Sequence, residues 1–291
     1  MNRSNTNFLD IRKKNNFFYK NTNTKIFKKK NTGGLRTKSI MKKNLYSRPL
    51  ISIIVATYNS EKFLEKCLQS IIDQSYQNFE IIIVDNKSTD KTLGIIKKYE
   101  KFIDMWISEA DNGIFHAMNK GIKISKGKII SILNSDDYFY PNALKTIVKY
   151  FNSNSNIDFV FGTVKKNKVF SGFKPQKIRW KFNIYPSHSV GFFIKKKIHD
   201  KIGLYNLKYK HSNDYDFFYR LIVKNKINGI STKRAEVIGN FRPGGFSSRL
   251  SFFDRLFTEL RIRFDNKQNF IDLLIIFIGR CFFEIINKFK L

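Results

Sequence analysis

Nearly unbroken apolar runs recur along the middle of the chain, separated by segments in which apolar residues are spaced three or four apart. The runs cover residues 50–56, 79–84, 105–108 and 129–133. Continuous apolar runs are typical of strands that are buried on both faces of a parallel sheet. The sequence therefore predicts an α/β fold, with a mostly parallel central sheet and helices on both of its faces.

Helices are predicted in the segments between these runs. Ser60 is a candidate N-cap for a helix whose apolar face includes Phe63 and Ile71. Two further helices are predicted at about 92–102 and 113–125, again from apolar residues at helical spacing. Strand, loop and helix thus alternate, which is the repeating unit of a parallel sheet.

The texture of the sequence divides the chain into three parts. Residues 1–48 are rich in Asn, Lys and Thr and are too polar to build a core, so they predict a basic, flexible N-terminal arm. Residues 49–245 predict one α/β domain, with halves at about 49–140 and 141–245. Residues 246–291 are basic and apolar and predict a helical C-terminal extension.

Composition supports one large core and leaves the meaning of the charge open. The chain has 291 residues, of which 42% are hydrophobic and 15% aromatic. Its 54 Lys and Arg against 23 Asp and Glu give a formal net charge of +31. Such an excess ordinarily indicates a polyanionic partner, but abundant Phe, Ile, Asn and Lys are also what an AT-rich genome produces.

Cysteine content and the N-terminus predict a reducing compartment. Cys67 and Cys281 are far apart, so a disulfide framework, a CxxC redox pair and a cysteine-ligated zinc site are unsupported. The N-terminus has no continuous apolar segment of the kind found in secretory signals. We therefore expect a cytoplasmic protein.

Acidic side chains follow three consecutive predicted strands. Asp85 follows the second strand, Asp111 the third, and Asp136 with Asp137 the fourth. Ligands of open α/β sheets bind beyond the carboxyl ends of the strands, and paired carboxylates suit Mg²⁺ or Mn²⁺. Asn-Ser-Asp-Asp before Pro141 is also good turn chemistry, so a structural turn is the alternative interpretation.

Phosphate-binding glycine motifs are absent from the sequence, and four other motifs take their place. There is no GxGxxG after the first strand and no GxxxxGK[ST]. In their order and spacing, four segments resemble the signature of the family-two glycosyltransferases, which have the GT-A fold: Pro49–Asn59, Ile83–Asp90, Asp111–Gly121 and Leu133–Asp137. The resemblance covers about residues 49–245. It implies a hexosyltransferase-type enzyme of polysaccharide biosynthesis for the cell envelope, with a nucleotide-binding first half and an acceptor-binding second half.

The resemblance also assigns the donor side of the site. It implies a UDP-sugar as the favoured donor and Mn²⁺ or Mg²⁺ as the cofactor. Asp136 and Asp137 would form the metal-binding motif, with at least one carboxylate on the metal and the other on the sugar or ribose. The residues implied to bind the nucleotide sugar are Ala56, Thr57, Tyr58, Asp85, Asn119, Lys120 and Asp136.

The acceptor side is assigned to the second half of the domain. Asp214 precedes an aromatic-rich predicted helix, where the family has its catalytic base, and Asp216 is the alternate candidate. A capping role for Asp214 is the competing interpretation. His188 and Arg242 are expected on the acceptor or diphosphate side. The implied chemistry is inverting transfer to a glycan or lipid-linked acceptor in one displacement, without a separate general acid.

Departures from the family pattern keep two rival functions in view. Ala56 replaces a usual Pro, Asn86 stands where an Asp or Gly is common, and His116 where Asp is common. Asn86 and His116 favour a catalytically inactive, membrane-associated scaffold as one alternative. A nucleic-acid-binding protein would explain the charge, but no zinc-finger spacing, RNP-like motif or helix-turn-helix is visible, so no nucleic-acid partner is expected.

The C-terminal tail is amphipathic enough to contact a membrane but is interrupted by charges. Asp272, Arg280 and Glu284 break the apolar stretch at 271–286, which leaves a run too short to span a bilayer. An interfacial helix on the cytoplasmic face of an anionic membrane is one prediction. A helix packed on the catalytic domain or on a second copy is the other.

Overall fold

The computed structural model describes residues 18–20, 31–173, 189–209, 211–243 and 251–289. The strands are β1 Phe18–Lys20, β2 Thr32–Gly33, β3 Ile40–Lys42, β4 Ile51–Thr57, β5 Phe79–Asp85, β6 Met105–Ser108, β7 Ile129–Asn134, β8 Tyr138–Phe139, β9 Phe159–Phe161, β10 Thr163–Lys165, β11 Val169–Phe170, β12 Phe192–Lys195, β13 Gly229–Ser231 and β14 Val237–Asn240. The helices are α1 Leu64–Ile72, α2 Thr92–Lys98, α3 Ile114–Ile124, α4 Ala143–Ser153, α5 Lys196–Ile202, α6 Asn213–Tyr219, α7 Phe252–Asp265 and α8 Phe270–Phe289. Short helical turns lie at Leu35–Lys38, Glu100–Phe102 and Arg220–Lys224.

A mixed sheet forms the centre of the molecule. In the described part of the chain its strand order is β13-β9-β12-β7-β4-β5-β6-β2. The four strands predicted from the apolar runs, β4 to β7, are its parallel centre, with β4 between β5 and β7. Strand β12 is antiparallel to both of its neighbours, and β2 is antiparallel to β6 at one edge. The predicted α/β architecture is confirmed.

Helices cover both faces of this sheet. Successive strand residues point to opposite faces, so alternate residues of one strand belong to two different cores. Ile53 and Val55 pack with α1, α2 and α4 in one apolar core. Ile54 and Ala56, from the same strand, pack with α3, α5 and α6 in the other. Both cores are built from aliphatic and aromatic side chains, so every central strand is buried, as its continuous apolar sequence predicts.

A smaller sheet brings a distant segment to the end of β7. Its order is β11-β10-β14-β8, and β14 pairs antiparallel with β8. In this pairing Asn240 lies opposite Tyr138, the residue after Asp137. The pairing therefore positions the chain that leaves β14, including Arg242, beside the paired acids.

Residues 31–48 differ from the prediction of a flexible N-terminal arm. Strand β2 extends the central sheet, and Leu35 is buried. Arg36 forms an ion pair with buried Glu80, and Lys42 Nζ lies 2.5 Å from Asp104 Oδ2 in the interior. The prediction of an arm ending at residue 48 is wrong for this stretch, because its few apolar and basic side chains satisfy buried groups of the sheet.

Helices α7 and α8 form the predicted C-terminal extension, an antiparallel pair hereafter called the C-terminal hairpin (Phe252–Asp265 and Phe270–Phe289). The Ser251 Oγ caps α7 by accepting a hydrogen bond of 3.0 Å from the Asp254 amide. Leu256, Ile262 and Leu273 are buried. Among the described helices, none combines the length and the apolarity that crossing a bilayer requires.

Candidate active site

The carboxyl ends of β4, β5 and β7 meet at one edge of the sheet. Thr57 is paired with Asp85, and Ala56 with Asn134. Ala56 itself is buried in the sheet, so its contribution to this edge is limited to its backbone. The structure therefore brings together the first, second and fourth of the motifs that the sequence singled out.

Asp85 is fully buried and accepts four hydrogen bonds. Its Oδ1 accepts from Thr57 Oγ1 at 3.1 Å and from Ser88 Oγ at 2.5 Å. Its Oδ2 accepts from the Ser88 amide at 3.1 Å and from Ser108 Oγ at 2.6 Å. A carboxylate has about four acceptor positions, so these donors fill it. These bonds hold the loop after β5 beside Tyr58, which is 60% exposed, and the contact between Asp85 and the nucleoside stays a prediction.

The loop after β6 offers an unused acceptor atom. The Asp111 amide donates to Asn86 Oδ1 at 2.8 Å, and Asp111 Oδ1 accepts from the Gly113 amide at 2.8 Å. Asp111 Oδ2 is buried and has no hydrogen-bond partner among the described residues. Burial raises the pKa of this carboxyl group. His116 Nδ1 accepts from the Asn112 amide at 3.0 Å. Asn86 and His116, two of the three departures from the family pattern, thus both brace this loop.

Asn119 and Lys120, both predicted to bind the donor, have partners within the protein. Asn119 is buried, and its amide group bonds to both backbone groups of Tyr205, donating to the carbonyl at 2.8 Å and accepting from the N–H at 3.0 Å. Lys120 Nζ lies 2.9 Å from Glu109 Oε1 and 3.3 Å from the Ala110 carbonyl oxygen. Asn119 thus ties α3 to the segment before α6, and Lys120 braces the loop after β6, while their contacts with the donor stay predictions.

The paired acids after β7 lie in different environments. Asp137 is almost fully buried, and its carboxylate accepts from the Arg242 amide and from Ser189 Oγ, each at 2.9 Å. Burial, reinforced by the charge of Asp136, raises the pKa of Asp137 to about 7. Asp136 is half-buried, and its Oδ2 lies 3.8 Å from Arg242 Nη1. Asp136 therefore has the accessible carboxylate of the two.

Arg242 links the two halves of the domain at this point. Its guanidinium group lies over the Phe63 ring, 3.8 Å from the centroid, and 47% of its side chain is exposed. Stacking on an aromatic ring orients the planar guanidinium group. The structure thus places one accessible cation and one accessible carboxylate side by side at the sheet edge.

The donor set at this edge suits a hard divalent cation. Besides Asp136, the Asn134 Oδ1 is a buried oxygen without a hydrogen-bond partner in the described part of the chain. Mg²⁺ and Mn²⁺ prefer such oxygen ligands and commonly take one or two from the protein, with substrate phosphates and water completing the shell. No group of three His, Cys, Asp or Glu residues suited to a metal occurs in the described ranges. Asp136 and Asn134 would therefore be the side chains that hold a cation at this edge.

The two acids of α6 also differ from each other. Asp214 is half-buried in the first turn of α6. Its negative charge adds to the effect of burial in raising the pKa of the Tyr205 phenol. Asp216 is buried, 2.8 Å from Arg220 Nε and 3.0 Å from Asn266 Nδ2. Asp216 is thus held by two protein contacts, and its roles as alternate base and on the acceptor side stay predictions. His188 lies outside the described residues.

The family profile of glycosyl transferase family 2 matches residues 52–216, which is more than half of the chain. This chain belongs to glycosyltransferase family 2. Among curated relatives, an uncharacterized glycosyltransferase of Methanocaldococcus jannaschii is 35% identical over 190 residues, 60% of this chain and 65% of the relative. A PGL/p-HBAD biosynthesis glycosyltransferase of Mycobacterium bovis is 31% identical over 180 residues, 59% of this chain and 69% of the relative. The match thus spans less than two thirds of the archaeal relative.

Solved structures confirm the GT-A fold of this family 2 chain. The S. aureus TarS fragment 1–349 in complex with UDP-GlcNAc has a TM-score of 0.60 at 20% identity, over 73% of this chain and 65% of that one. The Pyrobaculum calidifontis mannosyltransferase in complex with GDP-Man and Mn²⁺ has a TM-score of 0.59 at 18% identity, over 76% and 65% of the two chains.

Sequence patterns missed several residues that shape this site. Phe63 was predicted only as part of an apolar helix face, yet it supports Arg242. Ser108 and Ser189 had no pattern of their own, and each donates to a buried aspartate. The only signal for Ser108 is a polar residue at the end of an apolar strand. Ser189 directly follows His188, a predicted site residue, but no pattern distinguishes Ser189 itself.

Proposed function

We propose that the chain is an inverting glycosyltransferase that moves a sugar from a nucleoside-diphosphate donor to a hydroxyl group of a glycan or lipid-linked acceptor. The observation that supports this most directly is the accessible carboxylate of Asp136 beside the guanidinium group of Arg242, at the carboxyl end of the parallel strands. The nucleotide sugars in the complexes of the structural neighbours, UDP-GlcNAc and GDP-Man, are of the proposed donor class. We favour a UDP-sugar.

The nucleoside end of the donor would bind at the ends of β4 and β5. The exposed ring of Tyr58 can stack on a base, and the backbone of Ala56 and Thr57 lines the same edge. Asp111 Oδ2 accepts no hydrogen bond from the described residues, and a ribose hydroxyl or a base N–H would supply the donor. Asp85 acts through the loop that it holds.

The diphosphate would lie between Asp136 and Arg242. A divalent cation on Asp136, with Asn134 Oδ1 as the second candidate ligand, would supply charge stabilisation for the departing nucleoside diphosphate. Arg242 can donate to a phosphate oxygen, and the Phe63 ring holds its guanidinium group in place. Asp137 contributes by fixing the Arg242 backbone.

Asp214 is the proposed general base. As the acceptor oxygen forms its bond to the anomeric carbon, the bond from that carbon to the diphosphate oxygen breaks, and the hydroxyl proton passes to the Asp214 carboxylate. One displacement inverts the anomeric centre. Asp214 lies in the first turn of α6. The two hydrogen bonds between the Asn119 side chain and the Tyr205 backbone tie the segment before α6 to α3 of the donor half. These bonds thereby fix the two halves of the domain relative to each other.

The test is Asp214→Asn, assayed with a panel of nucleotide sugars in the presence of Mn²⁺. We expect transfer to fall by about 10²–10⁴-fold while nucleotide binding, measured by calorimetry, is unchanged. The matched control is Asp200→Asn, which alters an exposed carboxylate on α5 and should leave transfer intact. Full turnover by Asp214→Asn would remove Asp214 from the base role. If the wild-type protein binds nucleotide but transfers sugar from none of the donors, the inactive scaffold is favoured instead.

A further inference from the structure

The C-terminal hairpin exposes an unusual concentration of large apolar side chains. Of the sixteen exposed large hydrophobic residues in the described ranges, eleven lie between residues 253 and 285. They are Phe253, Phe257, Phe264, Phe270, Ile271, Leu274, Ile275, Ile278, Phe282, Phe283 and Ile285. Contiguous apolar surface of this kind marks a binding site on a folded protein, whereas single exposed residues do not.

The geometry of α8 shows that the exposed face is broad. At 100° per residue, seven of its exposed apolar residues, from Phe270 to Ile285, fall within an arc of about 140°. No charged residue between 270 and 286 lies in that arc, since Asp272, Arg280 and Glu284 fall on other sides of the helix. A coiled-coil seam is narrower than this, so the width favours a flat apolar medium over a single partner helix.

Helix α7 continues the same kind of surface. Phe253, Phe257 and Phe264 recur at helical spacing, and the Phe253 and Phe257 rings stack with centroids 6.1 Å apart. Exposed Arg261 borders this stripe in sequence, and exposed Lys267 lies in the turn between the helices. Aromatic side chains with cations at their margin are typical of helices that lie in the headgroup region of a bilayer.

Charge also distinguishes a bilayer from a second copy of the chain. Residues 252–286 contain five basic and five acidic residues, so the hairpin itself is balanced. The whole chain has a formal net charge of +31, which opposes the approach of a second copy and favours an anionic lipid surface. We infer that the outer face of the C-terminal hairpin binds the surface of an anionic phospholipid bilayer, with α7 and α8 lying in its plane.

The inner face of the hairpin is attached to the helix that contains Asp214. Fully buried Arg263 lies against the Tyr215 ring, 5.4 Å from the centroid, and pairs with Glu259 at 2.9 Å. Asn266 Nδ2 donates to Asp216 at 3.0 Å, and Tyr219 Oη donates to Gln268 at 2.9 Å. Docking of the outer face would therefore hold α6 near the bilayer. If the proposed function is right, this arrangement selects a lipid-linked acceptor over a free glycan.

Vesicle flotation tests the docking surface. We expect the full chain to float with vesicles of phosphatidylcholine containing about one-third phosphatidylglycerol. The double variant Ile275→Ser with Ile278→Ser should bind at least about tenfold more weakly, because both side chains are more than half exposed in the structure and would be buried in lipid. A second double variant, Phe257→Ser with Phe264→Ser, tests α7 in the same way.

Tyr46→Ser is the matched control, since it removes an aromatic side chain that is 98% exposed outside the hairpin, and it should float like the wild type. Equal flotation of wild type and hairpin variants would overturn the inference. Equal flotation of the wild type with vesicles of phosphatidylcholine alone would also overturn it, because the proposed surface is anionic. A wild-type dimer that both hairpin variants convert to monomer, without flotation, would identify a second copy as the occupant instead. Nucleotide binding measured on the same proteins separates this result from the proposed function: a wild-type protein that binds nucleotide but does not float refutes only the docking surface.

Discussion

Asp136 and Asp137 are neighbours in sequence, yet burial gives them different chemistry. Asp137 is enclosed by Ser189 and the Arg242 amide, and its raised pKa reflects removal from water. Asp136 keeps access to the cleft. The resemblance implies a metal-binding motif with at least one carboxylate on the metal and the other on the sugar or ribose. We propose Asp136 as the metal ligand and Asp137 as the residue that anchors the Arg242 loop.

Asp136→Ala should therefore weaken nucleotide binding in the presence of Mn²⁺ by at least about tenfold, or roughly 1.4 kcal/mol, because the cation loses its accessible carboxylate. Asp137→Asn should weaken it less, since an amide oxygen can still accept from the Arg242 backbone. Calorimetric titrations with and without Mn²⁺ measure both effects. A larger loss for Asp137→Asn than for Asp136→Ala would reverse the two roles.

At the scale of elements, helices α5 and α6 meet through a buried histidine. The His199 ring stacks on Phe217 with centroids 5.0 Å apart, and its Nδ1 has no hydrogen-bond partner among the described residues. Burial lowers the pKa of His199 to about 4 from its ordinary value of 6.5. The folded protein therefore holds this imidazole in its neutral form.

This contact predicts a pH dependence of stability. The unfolded chain takes up a proton at His199 below about pH 6.5, but the folded chain does so only near pH 4, so stability is fully present above pH 6.5 and declines as the pH falls towards 4. The loss at this site is about 3 kcal/mol. Urea unfolding across this range should show a smaller decline for His199→Leu than for the wild type. Parallel pH profiles for the two proteins would contradict the assignment.

At the scale of the whole molecule, the N-terminal segment 31–48 completes the catalytic domain. Glu80 projects from a central strand into the interior and is paired there with Arg36. It also accepts hydrogen bonds from Ser52 Oγ and the Lys126 amide. A buried carboxylate needs such partners, because its desolvation is otherwise uncompensated.

Arg36→Met should consequently destabilise the fold by about 3 kcal/mol, since it leaves the Glu80 charge buried without its cation. Lys38→Met, which alters an exposed lysine two residues away, should change the free energy of unfolding by less than about 0.5 kcal/mol. Guanidinium chloride unfolding gives both values. Equal effects of the two substitutions would show that the Arg36–Glu80 pair is dispensable.

Local patterns predicted the central elements well, for a physical reason. Strands β4 to β7 are buried on both faces, and such strands need apolar residues at nearly every position, which makes them recognisable in the sequence. Segment 31–48 was misjudged because its role depends on Arg36 and Lys42, and basic residues in a polar stretch give no sign of a buried partner. Such partners lie more than 40 residues away in the chain.

The sequence by itself determined the parallel centre of the sheet, the order of its acidic loops and the membership of family 2, because each rests on short-range periodicity or on motif spacing. Tertiary structure alone decided which polar residues remain available. Asp85, Asn119 and Asp216 are satisfied by protein partners, whereas Asp136 and Arg242 meet at an accessible edge. Whether a polar side chain has a hydrogen-bond partner depends on groups that only folding brings within about 3 Å. The pattern of residues along the sequence does not show which groups these are.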